Sequence, residues 1–258
     1  MKSPKPLGQY LPLLWSLPRS TWLKLLTGLL LAMGSLFIFA EIVDEIFEQE
    51  TQVWDQWAFE LLHRWDPEWL APVMFWFTKS GSAPSMLSLS LAVVLWLGLI
   101  RRNLRAITLF ALASLGGLGL NLLLKYIFRR SRPLLEGSID SGLDAQGWSL
   151  PSGHAMTAMI FYGFVGYLVI RSQRRLWSKI LFSAILVTFV LMIGLSRIYF
   201  NVHYLSDVIA GFAAGCFWLT ACILAMEFRP WYHKHFIEPA GHLPGDAIAD
   251  NITHEPIK

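Results

Sequence analysis

Six apolar runs divide the chain, at about Leu25–Val43, Met86–Ile100, Ala106–Leu124, Ala155–Ile170, Ile180–Leu195 and Tyr204–Met226. A helix that crosses a bilayer needs roughly 20 apolar residues, within a range of about 17–25. The second, fourth and fifth runs are shorter on strict count, and their neighbours Pro84–Ser85, Ser152–His154 and Ser178–Lys179 extend them. The pattern predicts an all-α polytopic membrane protein with six transmembrane helices. Trp69–Phe77 is too short to span. It reads as an interfacial helix or as the lead-in to the second span, interrupted at Gly81 and Pro84.

Between the first two runs, Glu41–Trp69 mixes acids with Val53, Trp54, Trp57, Phe59, Leu61, Leu62 and Trp65. That mixture predicts an amphipathic helix lying at the outer interface, with a solvated loop as the alternative. The first run follows a long basic lead and exceeds the 7–15-residue apolar core usual in a signal peptide, so it reads as a retained anchor.

Lysine and arginine orient the spans. Lys2, Lys5, Arg19 and Lys24 precede the first run. Arg101, Arg102 and Arg105 lie between the second and third, and Arg171, Arg174, Arg175 and Lys179 between the fourth and fifth. Arg229, Lys234 and Lys258 follow the sixth. Six crossings put all of these on one side, which the positive-inside rule makes the cytoplasm. Both termini are then cytoplasmic, as a segment over residues 1–23 and a tail over 229–258 that flank one membrane domain over 24–228. The opposite side receives the acids between Glu41 and Glu68.

Composition agrees with a membrane protein. The 258 residues are 55% hydrophobic and 15% charged, against about 45–50% and 25% in soluble domains. Twelve tryptophans suit membrane interfaces. The formal charge of +3 gives no case for nucleic-acid binding. Cys216 and Cys222 share one apolar run and read as small buried side chains, so a disulfide framework is excluded. His233 and His235 read as a solvated tail rather than a metal site. Asn251-Ile252-Thr253 has the form of a glycosylation acceptor but falls on the cytoplasmic side.

The candidate chemistry lies at the outer ends of the spans, in three clusters. The first, Lys125 to Pro133, contains Arg129, Arg130 and Arg132. The second is Pro151-Ser152-Gly153-His154. The third is Ser196-Arg197, followed by His203 and Asp207. Lys125, Arg132 and Arg197 place cations on the side that usually lacks them, and phosphate binding would account for that. Snorkelling to lipid headgroups is the competing account, above all for Arg129 and Arg130. Pro151 to His154 has the form of a helix start, where Ser152 can cap, Gly153 allows close approach, and free N–H groups favour an anion. His203 and Asp207 are four residues apart, on one face if helical. A carboxylate on one ring nitrogen makes the other more basic, as a nucleophile or base requires.

The three motifs, K-x6-RP, PSGH and SR-x5-H-x3-D, resemble in order the signature of the type 2 phosphatidic acid phosphatase superfamily. Vanadium haloperoxidases and bacterial class A acid phosphatases share that signature. Every fixed position is matched: Lys125, Arg132, Pro133, Pro151, Ser152, Gly153, His154, Ser196, Arg197, His203 and Asp207. Within the superfamily the chain is most similar to the bacterial phosphatidylglycerophosphatase B and undecaprenyl-diphosphate phosphatase group. The resemblance implies a lipid phosphatase of the bacterial inner membrane, with its site on the periplasmic side. It implies that His203 attacks phosphorus, Asp207 orients it, and His154 serves as acid and then base. Lys125, Arg132, Ser152, Gly153 and Arg197 would hold the phosphoryl oxygens, with no metal and no cofactor. A lipid phosphotransferase would use the same residues, and a non-catalytic lipid transporter or a haloperoxidase are the remoter alternatives. Which lipid phosphate or diphosphate is used, and the oligomeric state, stay open at this level.

Overall fold

The computed structural model describes residues 19–64, 66–133 and 147–232. Most of the expected N-terminal segment, much of the loop before the PSGH motif, and the tail with His233, His235 and Asn251 lie outside them. Among the described residues there are eight α-helices and no strand. They are α1 (Arg19–Phe47), α2 (Gln52–Arg64), α3 (Leu70–Ser80), α4 (Ala83–Leu95), α5 (Leu104–Phe128), α6 (Gly153–Ser172), α7 (Leu176–Tyr199) and α8 (Leu205–Tyr232). A π-helical stretch, Trp96–Ile100, continues α4.

Six helices are long and apolar enough to cross a membrane: Thr21–Phe47, Ala83–Ile100, Leu104–Phe128, Gly153–Ser172, Leu176–Tyr199 and Leu205–Phe228. They coincide with the six apolar runs. Leu30, Phe37, Leu87, Leu99, Leu115 and Leu181 are exposed on the bundle, where hydrocarbon rather than water satisfies them.

The segment between the first two spans differs from the expected single interfacial helix. Glu41 to Phe47 belongs to α1, because Phe39, Ile42, Val43 and Ile46 hold the helical spacing and pack with Leu150 and Ala210. The chain turns at Glu48–Thr51, with Gln49 in the left-handed region at φ 63°, and α2 begins only at Gln52. The α2 helix is also more than an interfacial strip, since Thr51, Asp55 and Ala58 are buried against the bundle.

The short stretch after it forms a helix of its own, α3. Leu70 and Met74 pack with Tyr199, Phe200 and Val202 at the end of α7. The expected interruption falls between α3 and α4, with Gly81 capping one helix and Pro84 in the first turn of the next. A proline there forfeits no helical hydrogen bond.

The centre of the bundle is the α6–α8 pair. Helix α8 packs along α1 and α6, α6 packs on α7, and α5 leans on both α6 and α8. Leu109, Phe110, Ala113, Met156, Phe164 and Ala214 fill the space between them. Helices α6 and α8 touch by backbone: a Cβ on Gly211 would lie 2.7 Å from the Ser152 carbonyl oxygen, and one on Gly215 2.8 Å from that of Met156. Small residues permit such contact between membrane helices. The Ser152 N–H donates to the Asp207 carbonyl at 3.0 Å. The start of α6 is thereby fixed against the start of α8, which brings the second and third motifs together.

Candidate active site

The last turn of α5, the first turns of α6 and α8, and the last turn of α7 meet at one end of the bundle. His203 occupies the tight connection from α7 to α8. Its N–H and that of Val202 both donate to the Arg197 carbonyl, at 3.3 and 3.2 Å, and Asn201 turns the chain at φ 55°. The expected helical i,i+4 pair therefore has a different setting: His203 precedes α8, and Asp207 lies in its first turn. The Asp207 carboxylate reaches back to accept the Tyr204 N–H at 3.0 Å. This is the acidic half of a capping box, and it locks the carboxylate in place.

His203 is buried, with Nδ1 3.4 Å from Asp207 Oδ2 and 3.3 Å from Ser149 Oγ. The Ser149 hydroxyl donates to the same carboxylate. That assigns the imidazole proton to Nδ1 and places the lone pair on Nε2. Nε2 lies 3.4 Å from Arg132 Nη1. Burial pushes the His203 pKa down to about 4. Asp207 opposes that shift, while Arg197 and Arg132 add to it. The ring is thus neutral and nucleophilic at ordinary pH. Burial also lowers the Arg132 pKa, against the opposing charge of Asp207, and raises that of Tyr204.

Lys125, Arg132 and Arg197 interact electrostatically with one another and with His154, and Arg132 and Arg197 also with His203. Lys125 Nζ donates to the carbonyls of Trp148 and Ser149. Arg132 donates to the Gly147 carbonyl at 3.0 Å and to that of Val202 at 2.8 Å. Arg197 is buried and donates from Nη1 to the Thr78 hydroxyl of α3, while its Nε has no partner among the described residues. Ser152 stands at the N-cap position of α6, yet its side chain makes no capping bond and its buried hydroxyl also lacks a partner among the described residues. Two unsatisfied polar groups from different motifs, set among cations, are what an anion would complete. Gly153 opens α6, and a Cβ there would meet Asn121 Oδ1 at 3.4 Å. His154 lies in the same turn, next to Gly81, where a Cβ would approach its ring within 3.1 Å.

Every motif residue is thus found at one end of the bundle. Arg130 has a setting that sequence reasoning left open between phosphate binding and headgroup snorkelling. Its guanidinium pairs with Asp207 Oδ1 at 2.7 Å and with Asp55 Oδ2 at 3.0 Å, and it stacks over the Tyr204 ring at 4.3 Å. Arg129, by contrast, caps α5 and lies over Tyr126. Asp55, Thr78 and Ser149 are further members that the motif reading passed over. Asp55 Oδ1 accepts the Ser206 N–H at 2.8 Å, a free donor at the start of α8. A cavity of about 840 Å³ opens beside His203, lined among others by Ile46, Asp55, Phe59, Arg130, Arg132 and Tyr204. Among the described residues no three His, Cys, Asp or Glu side chains gather as metal ligands.

Residues 105–231 match the PAP2 superfamily. Phosphatidylglycerophosphatase B of Bacillus subtilis (strain 168) is 27% identical over 152 residues, which cover 57% of this chain and 70% of that protein. The fold is similar to the crystal structure of a transmembrane PAP2-type phosphatidylglycerolphosphate phosphatase from Bacillus subtilis. That likeness has a TM-score of 0.65 at 23% identity and covers 75% of this chain and 94% of the other. LpxE of Aquifex aeolicus is also similar, with a TM-score of 0.51 at 25% identity over 64% of this chain and 92% of that one. Motif order, helix layout and these likenesses agree: this is a multi-pass membrane protein whose residues 105–231 match the PAP2 superfamily.

Proposed function

We propose that this protein is a lipid phosphatase that hydrolyses a lipid phosphate monoester or diphosphate through a phosphohistidine. One observation carries the reading: His203 is buried and neutral, its Nδ1 side is held by Asp207, and its Nε2 side adjoins Arg132. In the first step the Nε2 lone pair attacks phosphorus as the bond to the leaving oxygen breaks. This step requires His154 to carry a proton, which it gives to that oxygen. Asp207 stabilises the cationic ring that results. In the second step His154 takes a proton from water, whose oxygen attacks phosphorus. The P–N bond breaks, and inorganic phosphate and neutral His203 are released.

The transferring phosphoryl group spreads its charge over three equatorial oxygens, so positioning and electrostatics supply most of the catalysis. Lys125, Arg132 and Arg197, with the Ser152 hydroxyl and the Gly153 N–H, would receive those oxygens. Three cations can meet the charge that metal ions meet in other phosphatases, which supports a metal-independent reaction. The relatives' names favour a phosphorylated membrane lipid as substrate. The basic connections favour cytoplasmic termini and a site on the periplasmic side of a bacterial inner membrane.

The test is phosphate release by purified protein from phosphatidic acid, phosphatidylglycerophosphate and undecaprenyl diphosphate, with EDTA present and no acceptor lipid. Release from at least one, blocked by vanadate and by His203→Ala, is expected. Release that stops in EDTA and returns with Mg²⁺ would overturn the metal-free mechanism. Turnover only when an acceptor lipid is added would make the protein a transferase.

A further inference from the structure

Arg130 is not a fixed position of any of the three motifs, falling at a variable place within the first, and Asp55 lies on α2, before the residues that match the superfamily. Even so, the two are among the most heavily bonded charged groups near His203. Arg130 Nη1 contacts both Asp207 Oδ1 and the Ser206 hydroxyl, each at 2.7 Å, and Nη2 reaches Asp55 Oδ2 at 3.0 Å. Asp55 in turn accepts from the Ser206 hydroxyl at 2.7 Å and from the Ser206 N–H at 2.8 Å. Both carboxylates are buried, and the Arg130 side chain is 15% exposed. Breaking such a pair strands a buried charge, so the arrangement is strongly held.

From these contacts we infer that Arg130, clamped by Asp55, is a positioning residue that aims the Asp207 carboxylate at His203. The inference rests on the proposed roles of His203 and Asp207. Asp207 has two oxygens with separate duties: Oδ1 takes Arg130, while Oδ2 takes Ser149, the Tyr204 N–H and the His203 ring. Arg130 therefore fixes the rotation of the carboxylate plane, and Asp55 fixes Arg130. A lysine could restore the charge at this position, but a single ammonium does not reproduce the planar fork that spans two carboxylates. Helix α2 is thereby tied to the reacting pair, and the same Asp55 and Arg130 line the cavity beside His203.

The charged and titratable groups around His203 come from every neighbouring element. They are Asp207 on α8, Arg197 on α7, His154 on α6, Lys125 on α5, Arg130 and Arg132 in the segment after it, and Asp55 on α2. Loss of the Arg130 cation leaves Asp207 less compensated and so favours the protonated imidazole. The His203 midpoint then rises from about 4.

The experiment uses the full chain in detergent with phosphatidic acid in mixed micelles, and compares Arg130→Gln, Arg130→Lys, Asp55→Asn and the Arg130→Gln/Asp55→Asn double variant. His203 ionisation is followed by ¹⁵N-histidine NMR, assigned with His203→Gln. Arg130→Gln should lower kcat by about 10- to 100-fold, the scale of a small misplacement, with KM within about threefold. Its His203 midpoint should rise. Arg130→Lys should return the midpoint toward the wild-type value while kcat stays reduced. Asp55→Asn should lower kcat less, and the double variant should be no worse than Arg130→Gln, because Asp55 acts through Arg130. Wild-type kcat and an unmoved midpoint in Arg130→Gln, or additive losses in the double variant, would overturn the inference. If Arg130→Gln does not fold, the isosteric Asp55→Asn and the charge-conserving Arg130→Lys decide it: wild-type kcat in both overturns it. Phosphate release by His203→Ala in the same assay would overturn the proposed function instead.

Discussion

Thr78 offers a sharp test of how Arg197 is prepared for an anion. It sits on α3, outside all three motifs, and is wholly buried. Its hydroxyl oxygen accepts from Arg197 Nη1, while Arg197 Nε has no partner among the described residues. Thr78→Val keeps the shape of the side chain and removes the acceptor. A hydrogen bond to a charged group contributes about 1.5–3 kcal/mol, and a stranded buried donor puts the loss in the upper part of that range. Thermal unfolding in detergent should show that loss for Thr78→Val and a smaller change for Thr78→Ser, which keeps the hydroxyl.

Vanadate makes the same experiment diagnostic. An anion seated on Arg197 supplies new acceptors to the guanidinium and holds it where Thr78 no longer does. The stability deficit of Thr78→Val should therefore shrink when vanadate is saturating. The kcat/KM for phosphate release should fall, because Arg197 enters the substrate complex less well oriented. A deficit below about 0.5 kcal/mol without vanadate, the scale of an inconsequential substitution, would refute the structural part of this reasoning. An equal deficit with and without vanadate would refute the anion-binding part.

Two further outcomes follow from the site. His154→Ala should keep a trace of activity, since a positioned acid–base is worth about 10²–10⁴-fold. That trace should be clearest on a nitrophenyl phosphate, whose leaving group needs little protonation, whereas His203→Ala should form no phosphoenzyme on any substrate; the reverse pattern would exchange the two roles. His203 is held neutral down to about pH 4 in the folded protein, while a free histidine protonates near 6.5. Between those values the unfolded chain binds the extra proton, so this group's contribution is complete above about pH 6.5 and is lost as pH falls through 4. Replacing His203 with Gln should flatten that part of the stability–pH profile, and an unchanged slope would count against the burial assigned to the ring.

The spans were legible because apolar runs of near-spanning length have few other uses, and their ends shifted only where flanking residues continued the helical phase. Ile46 and Phe47 carry α1 past the expected limit at Val43 in this way. The motif residues were legible because cations and histidines placed at span ends away from the other basic connections need a reason to be there. Asp55 and Thr78 were harder, since each sits in a stretch between spans where a polar side chain suggests solvent. A signal was nevertheless present. Thr51, Asp55, Ala58 and Leu62 share one helical face, and Leu70, Met74 and Thr78 continue another at a spacing of four. A polar residue in phase with a buried stripe is a better candidate for an internal partner than one out of phase. Ser149 had no comparable sign, because its place depends on a loop folding back so that its N–H meets the Arg130 carbonyl.

Arg130 and Arg197 show why a motif and a site differ in extent. Both are arginines at the same end of the bundle, largely or fully withdrawn from solvent. Arg130 faces two carboxylates, so its charge is already answered within the protein, and an added phosphate would have to compete with Asp55 and Asp207. Among the described residues, Arg197 has only a hydroxyl as a hydrogen-bond partner, and Lys125 only carbonyl oxygens. Neutral dipoles hold a buried cation in place without cancelling its charge. Such a cation gains more from an arriving anion than one already paired, and its orientation is set before the anion arrives. Under the proposed mechanism, the distinction places Arg130 in the framework around Asp207, and Arg197 and Lys125 with the anion. Neither assignment is visible from residue type, because it depends on which acceptors α2 and α3 bring to each side chain.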